Sequence, residues 1–258
     1  MKNYKKISSV LLMIVGVMTM VCAVSIVMIC VRGARTDIYP TPSPSENHVS
    51  GVELTETFDY GDGYIKKLIF IADKTIYPIS SLNPEIEADQ VWSTIGGTLP
   101  LDNNLKTTAI IHQTDDVKGC SIPSAAQMYK PQYVIITAGL ENGVPYCNKE
   151  RFKEYYKDLI IAIEEACPST KIILQSVLPV SKATEKASPN ISNDRIDEAN
   201  AWIMELCNDC SVRYLNTASI LKDADGYLCA EFDSGDGITL NAEGYKAVIQ
   251  YVRTHGYK

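Results

Sequence analysis

Nucleophilic and acid–base chemistry near neutral pH draws first on histidine and cysteine. This chain of 258 residues holds three histidines: His48, His112 and His255. His48 lies in a Pro- and Ser-rich stretch and His255 close to the end. His112 follows the short apolar run Thr108–Ile111, so it alone stands at the end of an expected strand, where an ordinary surface or satisfied core role competes with a catalytic one. Six cysteines are dispersed through the body: Cys120, Cys147, Cys167, Cys207, Cys210 and Cys229. Cys207 and Cys210 form one Cys-x-x-Cys without the second pair that a structural zinc requires. A local disulfide, free thiols and a redox pair all stay open for them. No Gly-rich phosphate loop and no metal-ligand cluster occurs, so neither a metal nor a cofactor is expected.

The elements that must position this chemistry alternate. Lys67–Ile71, Tyr133–Thr137 and Lys171–Gln175 are continuous apolar runs of the kind buried on both faces, and Val212–Asn216 is a shorter one. Between them, residues 150–166 place Phe152, Tyr155, Leu159, Ile160 and Ile163 at helical spacing. Residues 194–207 do the same with Ile196, Ala199, Ile203 and Leu206. Asn241 caps a last helix to Arg253. Strands interleaved with helices predict an α/β fold with a parallel sheet covered on both faces, and a ligand site at the carboxyl ends of its strands. Most of the 15 tyrosines, including Tyr133, Tyr155, Tyr156, Tyr214 and Tyr245, fall inside these patterns and read as core.

Four strand-end segments, in order, resemble the blocks of the SGNH (GDSL-like) hydrolase family. They are Leu68-Ile-Phe-Ile-Ala-Asp-Lys-Thr-Ile-Tyr77, Gly96-Gly-Thr-Leu, Ile135-Ile-Thr-Ala-Gly-Leu-Glu-Asn-Gly-Val144 and Asp236-Gly-Ile-Thr-Leu-Asn-Ala-Glu-Gly-Tyr245. The resemblance covers residues 65–258 and implies a three-layer α/β/α sandwich with a five-stranded parallel sheet of flavodoxin-like order. It also implies a serine nucleophile, a histidine base, an orienting aspartate, and an oxyanion hole of serine amide, glycine and asparagine. Gly97 and Asn142 match the hole, with Glu141 a rival for the asparagine position, and Asp236 matches the orienting acid. Lys74 stands at the nucleophile position, Thr239 at the base position, and Ala72 at the preceding glycine. In a coupled triad either loss alone costs roughly 10⁶ in turnover. Asp73, Thr75, Tyr77, Trp92, Glu141 and Tyr146 are the residues expected to line the cleft, Trp92 alternatively simply packing. Removing the imidazole leaves Asp236 without a partner, so the Lys74 ammonium is expected to reach across to it, with Thr239 beside the pair. Cys147 and Cys229 lead from or into two of the blocks and could bridge over the cleft.

Ser8–Val31 carries no charge and spans roughly 36 Å as a helix, enough to cross a bilayer. Lys2, Lys5 and Lys6 favour an N-terminus inside, at residues 1–7, and a body outside the cytoplasm. Residues 32–64, with Tyr39-Pro-Thr-Pro-Ser-Pro-Ser, read as an extended spacer. The whole chain carries 24 Lys and Arg against 31 Asp and Glu, a formal charge of -7, and the basic residues near the N-terminus leave the body more acidic still. An acidic body without a basic stripe argues against nucleic acid as a partner. The leading expectation is a membrane-anchored SGNH-fold protein without ester hydrolysis that binds an acylated cell-surface glycan. An active esterase with a substituted constellation around Lys74 or His112, and a purely structural or partner-binding ectodomain, are the alternatives.

Overall fold

The computed structural model describes residues 51–112 and 119–257. The expected N-terminal segment 1–7, the anchor 8–31 and the spacer up to residue 50 lie outside the described residues. Among the described residues no helix is long and apolar enough to cross a membrane.

Seven strands form one sheet: β1 Leu68–Ala72, β2 Val91–Ser93, β3 Ala109–His112, β4 Cys120–Ser121, β5 Tyr133–Thr137, β6 Lys171–Gln175 and β7 Arg213–Leu215, in the order β4-β3-β2-β1-β5-β6-β7. The five strands β2, β1, β5, β6 and β7 run parallel, as expected. Two antiparallel strands, β3 and β4, extend that sheet at one edge. Neither β2 nor β4 is visible as an apolar run, because each is only three or two residues long.

Alternation along each strand divides the apolar side chains between two cores. Ile71, Val134, Ile136, Ile172 and Leu174 face the helices Ile122–Tyr129, Lys149–Ala166 and Asn193–Cys210. Leu68, Phe70, Ala72, Ile135 and Ile173 face the opposite layer, which includes the last helix Ala242–Thr254 through Tyr245, Val248, Ile249 and Val252. The three-layer expectation therefore holds. Each long helix starts where the sequence offers a cap: Asn148, Ser192 and Asn241 side chains accept amides of Arg151, Arg195 and Gly244.

The expected spacer is shorter than its sequence suggests. Leu54 is buried, its amide bonded to the Tyr214 carbonyl at 2.8 Å, while the Tyr214 amide bonds the Val52 carbonyl at 3.0 Å. Residues 51–64 thus pack on the body, because Leu54 and Tyr64 supply apolar surface that the proline stretch lacks.

Candidate functional site

The central strand β1 ends at Ala72, and the Asp73 amide carries the ladder one step further, to the Thr137 carbonyl at 3.0 Å. The chain then turns. Asp73 is 1% exposed; its Oδ1 accepts the Thr75 amide at 3.0 Å and the Thr75 hydroxyl at 2.6 Å. Its main-chain carbonyl takes the Ile76 and Tyr77 amides, closing a helix-like turn. Oδ2 has no partner among the described residues. Burial pushes the Asp73 carboxyl up to about 7; the two Thr75 bonds oppose this and the Glu141 charge adds to it. Lys74 sits on this turn and is exposed. Its ammonium joins none of the ion pairs among the described residues, and its amide has no partner within the described chain.

The expected Lys74–Asp236 bridge is absent. Asp236 is satisfied by its own loop: Oδ1 accepts the Ile238 amide at 2.9 Å, the Thr239 amide at 2.7 Å and the Ser234 hydroxyl at 3.3 Å, and Oδ2 accepts the Thr239 hydroxyl at 3.0 Å. Desolvation is the largest influence on this carboxyl and raises it. The Thr239 and Ile238 amides, with the two hydroxyls, together outweigh burial and hold it below the usual carboxylate range. Asp233 builds the same loop from the other side, its Oδ1 accepting the Gly235 and Gly237 amides. Ser234 went unread in the sequence. The signal was there in Asp-Ser-Gly-Asp-Gly, a run of residues whose side chains bond the backbone two positions on.

Gly97 lies in the loop after β2 with φ +79°, where a side chain is disfavoured. An added Cβ would stand 2.5 Å from the Tyr77 ring, so the ring packs directly on the glycine backbone. The Gly97 amide donates to the Thr94 carbonyl at 3.0 Å and is engaged inside its turn, unlike an oxyanion donor. After β5, Glu141 and not Asn142 crosses to this loop, its Oε2 accepting the Leu99 amide at 3.0 Å. Asn142 is exposed and precedes the short helix Gly143–Tyr146 without a side-chain cap bond.

The expected lining residues separate into two groups. Tyr77 is half-buried and Tyr146 is 74% exposed on the short helix. Thr75 is buried, its carbonyl accepting the Tyr245 hydroxyl at 2.8 Å. Trp92 is a correction: it is fully buried among the helices on one face, its ring 5.8 Å from that of Tyr129, and lines no cleft. Ile95, 76% exposed in the glycine loop, was not anticipated. His112 pairs with Trp92 in the backbone ladder, on a strand two places from β1. His255 stacks on Tyr251 at the end of the last helix. The six cysteines among the described residues are free, so neither Cys207–Cys210 nor Cys147–Cys229 is bridged. Among the described residues no group of His, Cys, Asp and Glu could hold a metal ion.

A parallel sheet whose central strand ends in a turn, beside a glycine loop on one flank and an aspartate loop before the last helix, has the layout of a strand-end hydrolase domain. The chain belongs to the GDSL-like lipase/acylhydrolase family, whose profile matches residues 88–247. That match begins after β1 and so does not include Lys74. Among solved structures, the chain is similar to a GDSL-like lipase from Bacteroides thetaiotaomicron (14% identity, TM-score 0.52, covering 73% of this chain and 87% of that one). A candidate acylhydrolase from Bacteroides fragilis is similar at 12% identity and TM-score 0.50, covering 72% of this chain and 84% of that one. At these identities the likeness shows the fold alone. No curated protein matches the chain.

Proposed function

We propose that this chain is a GDSL-family protein that does not hydrolyse esters by the family mechanism and uses its strand-end face to bind an acylated cell-surface glycan. In this reading residues 8–31 anchor it in the membrane, with the body outside the cytoplasm. One observation carries the proposal: the position of the nucleophile is an exposed lysine, while the position of the base is a threonine whose hydroxyl is bonded to Asp236. A hydroxyl cannot take a proton from a nucleophile at neutral pH, and among the described residues the Lys74 side chain is bonded to no base that could activate it. The engaged Gly97 amide supports the same reading, since a donor already bonded to a carbonyl offers little to an oxyanion.

The test is short-chain acyl-ester turnover by the full-length protein in detergent, together with calorimetric titration of an O-acetylated oligosaccharide. No turnover above the uncatalysed rate, together with saturable binding, is expected. Turnover that disappears in Lys74→Ala would overturn the proposal.

A further inference from the structure

A second concavity lies away from Lys74, against the edge strand β7, which the sheet order separates from β1 by β5 and β6. It is a cleft of about 310 Å³ between the helix Asn193–Cys210, the end of β7 and the short helix Ala218–Leu221. Tyr214 lines it while only 2% exposed. The Tyr214 hydroxyl makes no hydrogen bond among the described residues. Burial pushes its pKa up, and the Glu53 and Asp197 charges add to this, so the hydroxyl keeps its proton to donate. Two charged groups line the same cleft. Asp197 Oδ1 accepts the Lys222 ammonium, while Oδ2 has no partner among the described residues. Lys222 is fixed by a backbone bridge to Leu228, and its side chain is 20% exposed. Asn200 stiffens the wall, its amide bonding the Val177 main chain in both directions, and Ala201 and Met204 make the wall partly apolar.

We propose that this cleft binds one neutral sugar unit, with adjacent ring hydroxyls shared among Asp197, Lys222 and Tyr214 and the C–H face of the ring against Ala201 and Met204. The inference goes beyond the strand-end reading: it concerns another place in the fold and holds whether or not an acylated glycan occupies the face that carries Lys74. A carboxylate oxygen that accepts, beside an ammonium that donates, matches two neighbouring hydroxyls, each able to do both. The Tyr214 hydroxyl adds a bond from the floor without giving up an internal one. An anionic ligand would be repelled by Asp197, and an apolar one would leave the buried hydroxyl unsatisfied. The volume stands at the small end of the roughly 300–1,000 Å³ usual for ligand sites, which suits a single ring rather than a long chain.

The experiment titrates full-length protein in detergent with the methyl glycosides of glucose, galactose and mannose and with methyl glucuronide. At least one neutral glycoside is expected to bind saturably. Asp197→Asn should weaken it about tenfold and Tyr214→Phe about fivefold, the sizes of a charged and a neutral hydrogen bond. Tyr214→Phe should melt no lower than the wild type, because the lost hydroxyl bonds nothing inside the chain, and Lys74→Gln should bind as the wild type does. No binding of any neutral glycoside, binding that survives either cleft substitution, or glucuronide bound as tightly as the best neutral glycoside would each overturn the inference. Binding lost in Lys74→Gln would overturn it as well, and would move the sugar to the strand-end face.

Discussion

The Thr239 hydroxyl donates to Asp236 Oδ2 at 3.0 Å while the Thr239 amide donates to Oδ1 at 2.7 Å. In a triad the acid holds an imidazole in one tautomer and stabilises its charged form. The Asp236 carboxylate instead closes a turn of its own loop. Asp236 is therefore an exposed carboxylate already bonded within its loop, with no unpaired buried charge to be compensated from elsewhere, and Lys74 is not drawn across to it.

Rebuilding the triad should need both members together. Lys74→Ser and Thr239→His are each expected to leave ester turnover at background. The double variant should exceed both, because nucleophile and base act as a unit. It should still fall well short of an active family enzyme, since an oxyanion donor misplaced by about 1 Å costs roughly 100-fold. Steady-state acyl-ester kinetics on the three variants check this; a single variant as active as the double would contradict it.

Asp236→Ala removes four hydrogen bonds from the 233–239 loop at one stroke. The loop is exposed and water can replace part of what is lost, so the expected destabilisation is about 1 kcal/mol. Local opening should increase more than global unfolding. Limited proteolysis is expected to cut the variant between residues 233 and 240 at conditions that leave the wild type intact, with a melting temperature only slightly lowered.

The strands buried on both faces were legible from short unbroken apolar runs, Tyr133–Ile136 and Ile172–Leu174: residues 133–137 and 171–175 match β5 and β6 to the residue. β2 was not, since Val91–Ser93 owes its place to pairing with Phe70 and Ile71 rather than to any pattern of its own. At the strand ends, the block resemblance singled out Lys74, Gly97, Asp236 and Thr239, but not the partners these residues have. A bridge from Lys74 to Asp236 is a long-range pairing of two flexible groups. It lost to amides two and three residues away, whose proximity is guaranteed by the chain. Glu141 likewise prevailed over Asn142 because its longer side chain reaches Leu99.

Asp73 makes stability depend on pH in the direction opposite to a salt-bridged carboxylate. Its carboxyl stays protonated up to about 7 in the folded chain, against an ordinary value of 3.8. Between those values the folded state holds the proton more tightly than the unfolded state. Stability from this group is therefore greatest at the acid end, falls by at most about 1.4 kcal/mol per pH unit as pH rises, and levels off above about 7. Asp59, Glu205, Asp209 and Asp236 are held low and contribute the reverse slope at more acid pH, so the difference between wild type and Asp73→Asn isolates the effect. Urea midpoints from pH 5 to 8 should show the variant gaining on the wild type as pH rises. A constant difference would contradict the burial argument.

Gly97 and Tyr77 should be coupled. Gly97→Ala forces a Cβ to within 2.5 Å of the Tyr77 ring at a backbone angle of +79°, and a loss of about 1–3 kcal/mol is expected. Tyr77→Ala clears the steric part and not the backbone part. Chemical denaturation of the two single variants and the double should therefore give a double less destabilised than the sum of the singles.

The segment entering the fold also has a mechanical meaning. Residues 51–60 are fastened one after another: the Val52 carbonyl and Leu54 amide to Tyr214, the Thr57 amide to the Thr254 carbonyl, and the Tyr60 amide to the Arg253 carbonyl. The Arg253 side chain then clasps Asp59, Asp62 and Glu85. Tension arriving at residue 51 meets these attachments in series, the first of them on the edge strand β7 through Tyr214 and the later ones on the last helix, so they peel singly. Released and fully extended, residues 51–65 would span about 50 Å before β1 is pulled, so this stretch is a reserve of length at the entry to the fold.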